Sequence, residues 1–97
     1  MDDTERDRLL ALLEANHRFP GPFFLSVVAQ SGDEVAAAIH AAVREIASNV
    51  PDNGWESRAS SGGRYRSHRV TVTVDSATQA LALYARLREV PGVVTIL

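Results

Sequence analysis

Apolar positions along the chain switch repeatedly between a helical and an alternating period, and each switch marks a structural element. Leu9, Leu10, Leu12 and Leu13 give a stripe to a helix expected over Thr4–Asn16, with Thr4 and Asp7 as its start signal. Phe19-Pro20-Gly21-Pro22 must stop it, because proline lacks a backbone donor and pushes the residue before it out of the helical region. From Phe23 the period becomes two. Phe23, Leu25, Val27 and Ala29 alternate with Phe24, Ser26, Val28 and Gln30, the pattern of a strand. Ser31-Gly32-Asp33-Glu34 has the form of a capping box, and Val35, Ile39, Ala42, Val43, Ile46 and Val50 follow on one helical face. Pro51-Asp52-Asn53-Gly54 is expected to close this helix in a turn.

Trp55–Ser60 reads as a short, polar strand of the kind found at sheet edges. Ser61-Gly62-Gly63 turns the chain into a long strand, Arg64–Val74, in which Val70, Val72 and Val74 share one face while Thr71 and Thr73 share the other. A second capping box, Ser76 with Gln79, opens a helix carrying Ala80, Leu81, Tyr84, Leu87 and Val90. Pro91-Gly92 stops it, and Val93–Leu97 is a closing strand. The order predicts an α+β fold, a ferredoxin-like βαββαβ sandwich. Its four-stranded antiparallel sheet has the order 4-1-3-2, two helices cover one face, and an extra helix precedes it. Residues 1–18 read as an N-terminal helical extension and 19–97 as a single domain.

Composition adds exclusions. A chain of 97 residues that is 45% apolar and 23% charged has the make-up of one globular core. The absence of cysteine excludes disulfides, thiolate nucleophiles and thiolate metal sites. The acidic start, Met-Asp-Asp-Thr-Glu-Arg, is unlike a secretion signal, and no apolar run approaches membrane-spanning length, so a cytoplasmic protein without a membrane partner is expected. A net charge of −2 argues against bulk attraction to nucleic acid. All ten basic residues are arginine. Arginine suits bidentate recognition of carboxylate and phosphate, although the abundance of Ala, Val and Gly points more plainly to coding bias.

No catalytic residue, metal site or cofactor is expected. His17, His40 and His68 are scattered, and none has a partner three or four residues on. His40 falls off the apolar stripe of its helix, a boundary or solvent position. The first strand–helix loop, Gln30-Ser31-Gly32-Asp33, carries an acid where acyl-phosphate hydrolysis on this kind of fold would need a cation. Two surfaces remain. The turn Ser60, Ser61, Gly62, Gly63, Arg64 and the neighbouring Tyr65 offer hydroxyls, backbone amides and a guanidinium to an anion, against the plainer reading of a hairpin turn. The sheet face carrying Phe24, Ser26, Val28, Tyr65, Arg69, Thr71 and Thr73 suits another subunit or a partner protein. RNA binding through this face with Arg64, Arg66 and Arg69 is the alternative, weakened by the missing aromatic-rich signature and the charge.

Phe19-Pro20 with Pro22-Phe23, Ser60-Ser61-x-Gly63-x-Tyr65-x-Ser67, the Arg69–Val74 strand, Tyr84 and the terminal Val94-Thr95-Ile96-Leu97 together resemble the YbeD-like family of small bacterial proteins. The resemblance spans Phe19–Leu97. It implies an ACT-like, ferredoxin-like fold, with effectors bound near the first strand–helix loop, here Gln30, Ser31 and Gly32. The expectation is a non-enzymatic regulatory or protein-interaction module, homo-oligomeric or bound to a partner protein, with a small anionic effector or a partner protein as the alternatives for what it binds.

Overall fold

The computed structural model describes residues 2–47, 49–51 and 53–97. The elements run α1 (Asp3–Asn16), β1 (Gly21–Gln30), α2 (Asp33–Ile46), β2 (Trp55–Ala59), β3 (Tyr65–Val74), α3 (Ala77–Arg88) and β4 (Val93–Ile96). The antiparallel sheet has the order β2-β3-β1-β4, which is the predicted 4-1-3-2 read from the other edge. The long pairing of β1 with β3 fixes its register, with Phe23 opposite Val72 and Leu25 opposite Val70. The shared face is therefore apolar from Phe23 to Ala29 on β1 and from Val70 to Val74 on β3. Phe23, Leu25, Val27 and Ala29 from β1, with Val70, Val72 and Val74 from β3, are buried against Ile39, Ala42 and Val43 of α2 and Leu83 and Leu87 of α3. Arg86 on α3 reaches Glu45 on α2 at 3.0 Å on the outer side of the helix layer.

The helix starts divide by mechanism. Ser76 caps α3, accepting from the Gln79 amide at 3.1 Å, while Gln79 Oε1 accepts from the Asp75 amide. Asp2, not Thr4, caps α1, accepting from the Glu5 amide at 2.7 Å. The capping box expected at α2 does not form. Gly32 is the cap residue, no side chain among the described residues caps the first amides, and the Ser31 hydroxyl instead donates to Gly63 O at 2.6 Å.

α2 also ends earlier than the apolar spacing suggests, at Ile46 rather than at the proline turn. The reason lies at the sheet edge. β2 begins only at Trp55, opposite Val70, which leaves the outer amides of Thr71 and Thr73 without a strand. Gly54 O accepts from Thr71 and Asn49 O from Thr73, at 2.9 and 2.8 Å, so Asn49 must be extended backbone and not helix. The closeness of this approach requires Gly54, since a Cβ there would stand 2.6 Å from Thr71 O. Asp52 of the expected turn, and Ser48 within the expected helix, lie outside the described residues. α1 buries no residue completely and packs along α3, with Leu9, Leu13, Leu81 and Tyr84 lining the seam.

Candidate functional site

The missing cap at α2 opens a polar cleft. Ser31, Gly32, Asp33 and Ala36 at the start of α2 face the ends of β2 and β3 across a space of about 450 Å³. The far wall is made by Trp55 and Ser57 of β2 and by Arg66 and His68 of β3. These side chains are brought there by strand alternation. Arg66 and His68 share the parity of the buried valines, so they point to the helix side where the apolar core gives out. His40, one helical turn beyond Ala36, lies flat on Trp55 with ring centroids 3.8 Å apart and planes 18° from parallel.

Three features of this cleft are unusual for a pocket edge. His68 is 4% exposed, and its ring has no hydrogen-bond partner among the described residues. The Trp55 indole nitrogen is buried and also lacks a partner among the described residues. Arg66 donates through one nitrogen to Ser57 Oγ at 2.8 Å, leaving most of its five donors for other company. Burial pushes the His68 pKa below the ordinary histidine value, and the neighbouring His40 and Arg66 add to the effect. Burial likewise lowers His40, with Arg44 contributing. Both rings are thus biased toward the neutral imidazole.

The two ligand segments expected separately from sequence prove to be one structure. Besides the hydroxyl bond to Gly63, the Ser31 amide donates to Arg64 O at 3.1 Å, which docks the β2–β3 hairpin against the β1–α2 loop. Gln30 lies opposite Tyr65 at the end of the long β1–β3 ladder. The hairpin's own polar groups are largely engaged in its turn. Ser60 Oγ accepts from the Tyr65 amide, Ser60 O accepts from Gly63, and Gly62 and Gly63 adopt φ of 88° and 75°. Ser61, Gly62 and Arg64 are exposed at its tip. The hairpin is therefore a clasp on the loop beside the cleft.

His40, Trp55, Ser57 and His68 escaped the sequence reading of the site. The signal for Arg66 and His68 was the period of two that placed the valines, extended toward the hairpin. For His40 no comparable signal existed, because its contact with Trp55 depends on how α2 lies over β2.

The open sheet face holds Phe24, Ser26, Val28, Arg69, Thr71 and Thr73 as expected, with Tyr65 at its hairpin end. Phe24 is 71% exposed and Leu97 74%, and the two line one shallow groove with Glu56 and Arg69, which are opposite each other in the β2–β3 ladder. The arginines proposed for RNA do not share this face. Arg69 lies on it, Arg66 is turned to the helix side, and Arg64 is in the hairpin.

The order of elements and the sheet define the class of the protein as a ferredoxin-like, ACT-like domain. It matches the ACT domain from the GTP pyrophosphokinase of Chlorobium tepidum with a TM-score of 0.63 over 78% of this chain and 94% of that one, at 14% identity, a likeness of fold. Within that class the chain belongs to the family described as protein of unknown function DUF493, which it matches over residues 14–97. It is 34% identical over 97 residues to a UPF0250 protein of Shewanella piezotolerans, covering 100% of both chains. Identity to a UPF0250 protein of Paraburkholderia phytofirmans is 33% over 84 residues, which is 87% of this chain and 94% of that one. The YbeD-like resemblance and the fold it implies are thereby borne out.

Proposed function

We propose that the protein is a regulatory module without catalysis of its own, and that it holds a small effector in the cleft between the start of α2 and the β2–β3 ladder. The observation that carries this reading is the buried Trp55 indole nitrogen left without a partner among the described residues, beside the nearly buried His68 and the spare donors of Arg66. Buried donors and acceptors are nearly always paired, so unpaired ones beside an open cleft call for a ligand or bound water. The position favours regulation. A ligand in the cleft touches the β1–α2 loop directly and reaches the hairpin through Ser31, so its arrival can be felt at the sheet edge. The expectation of an effector near the same loop, drawn from the ACT-like resemblance, supports this choice of cleft.

A thermal-shift screen tests this, using neutral, cationic and anionic metabolites at fixed ionic strength. At about ten times Kd a cleft ligand should raise Tm by about 5 °C or more. Ala36→Tyr, which fills the cleft from the exposed side of α2, should abolish the shift. A panel with no stabilising member would overturn the reading.

A second copy of the chain is our reading of the partner on the open sheet face. Phe24 and Leu97 are too exposed for a face with nothing to cover, and Glu56 beside Arg69 makes the groove self-complementary in charge under a two-fold axis. Light scattering at micromolar concentration should give a dimer, and Phe24→Glu a monomer that keeps its circular dichroism. A monomeric parent protein would sink this reading.

A further inference from the structure

The groups on the inner wall of the cleft can each donate a hydrogen bond, and two can do nothing else, while the acceptor-only carboxylates of Asp33 and Glu56 are exposed at its rim. The Trp55 indole is a donor only, and the Arg66 guanidinium is a donor fork that carries fixed positive charge. The first amides of α2 have no side-chain cap and carry the positive end of a 14-residue helix. His68 supplies one donor when neutral and two when protonated. Its inner wall is short of acceptors. We propose that the cleft is an oxyanion site, in which Arg66, His68 and the opening amides of α2 hold a small carboxylate or phosphate. The inference rests on the effector reading above and gives that effector its chemical class.

The acids nearby do not oppose it strongly. Asp33 from α2 and Glu56 from β2 are both exposed, where water screens them, while the donors they would offset lie deeper. β1 brings no charge to this end of the sheet's inner face, since Ala29 stands opposite Arg66 there.

The histidines make binding proton-coupled. Burial, His40 and Arg66 bias His68 toward its neutral form, and burial and Arg44 do the same for His40. A bound anion supplies the counter-charge that both rings lack, so it favours imidazolium and takes up a proton from bulk water. Affinity must then rise as pH falls toward the histidine range, by up to about tenfold per pH unit for one proton taken up.

Trp55 is the only tryptophan, so its indole N–H gives a single reporter signal by NMR. The experiment titrates full-length protein with sodium sulfate, sodium succinate or glycerol phosphate against sodium chloride of equal ionic strength, at about pH 6 and about pH 7.5. Sulfate keeps its charge across this range, so its pH dependence belongs to the protein. Sulfate should move the Trp55 indole and the Asp33 and Glu34 amide signals, with tighter binding at the lower pH. Arg66→Gln, at a half-buried position outside the core, should weaken it by about tenfold or more. His68→Gln should lessen the pH dependence, and adding His40→Gln should flatten it. A response to succinate or to glycerol phosphate names the source of the oxyanion, and either supports the site. If no anion moves these signals while a neutral or cationic compound does, the oxyanion class is wrong and the effector site stands. If no compound moves them, both fall. Shifts that survive Arg66→Gln unchanged would mean diffuse attraction to arginines and would overturn the proposal.

Discussion

Val72→Asp should not fold, while Thr71→Asp, one residue away, should fold almost as well as the parent. Val72 is 1% exposed, opposite Phe23 in the central pair of strands and beneath both covering helices. A carboxylate placed there has no cation within the apolar core. An uncompensated buried charge costs about 3–5 kcal/mol, and the lost valine burial adds about 1.5–3 kcal/mol. Together these approach the whole stability of a domain this size, about 5–15 kcal/mol. Thr71 points to the open face, and its amide bond to Gly54 is made by backbone, so Asp at this position should lose only about 1 kcal/mol of strand preference. Urea unfolding followed by circular dichroism distinguishes them. A cooperative transition for Val72→Asp near the parent midpoint would show that the valine face is not the core.

The contrast between those neighbours was legible in the sequence because a strand repeats every two residues and the valines are strictly spaced. The same is true of β1, where Phe23, Leu25, Val27 and Ala29 are buried and Phe24 is not. Ser76 with Gln79 was legible for a different reason, since the bonds of that cap are local and need no tertiary information. Ser31 with Glu34 has the same local form and failed. Here a distant carbonyl, Gly63 O, takes the serine hydroxyl, and tertiary docking of the hairpin wins over the cap. The length of α2 misled for a related reason. The amides of Thr71 and Thr73 needed acceptors, and the chain after Ile46 had to unwind to supply one of them.

The site was half legible. Gln30–Gly32 and Ser60–Tyr65 were marked by composition, and the structure joins them. The groups that carry chemistry were not marked, because His40, Trp55 and His68 come from three elements, and only the packing of α2 over the sheet edge brings them together. A histidine in a strand of valines looks like an interruption of the pattern. In the structure it is where the core ends and the cleft begins.

Phe23→Ala should be the most damaging truncation in the chain, and its effect should reach α1. The ring is 1% exposed and lies within an aromatic cluster, 4.8 Å from His17, 6.3 Å from Phe19 and 5.9 Å from Tyr84, the last edge-on at 85°. Removing a buried phenylalanine costs about 3–5 kcal/mol, which for a domain of this size lowers Tm by about 12–40 °C. Part of that loss is the edge-on pair, so a double-mutant cycle with Tyr84→Leu should recover a coupling of about 0.5–1.5 kcal/mol. The consequence for α1 follows from its own weakness. At 14 residues with none fully buried it is too short to hold together without the domain, and His17 on Phe23 fastens its C-terminal end. Once the ring is gone, hydrogen exchange in α1 should approach the unprotected rate, while α2 and α3 amides still exchange through global unfolding. An α1 whose protection falls only in step with the rest of the molecule would show that its seam with α3, and not the Phe23 cluster, holds it in place.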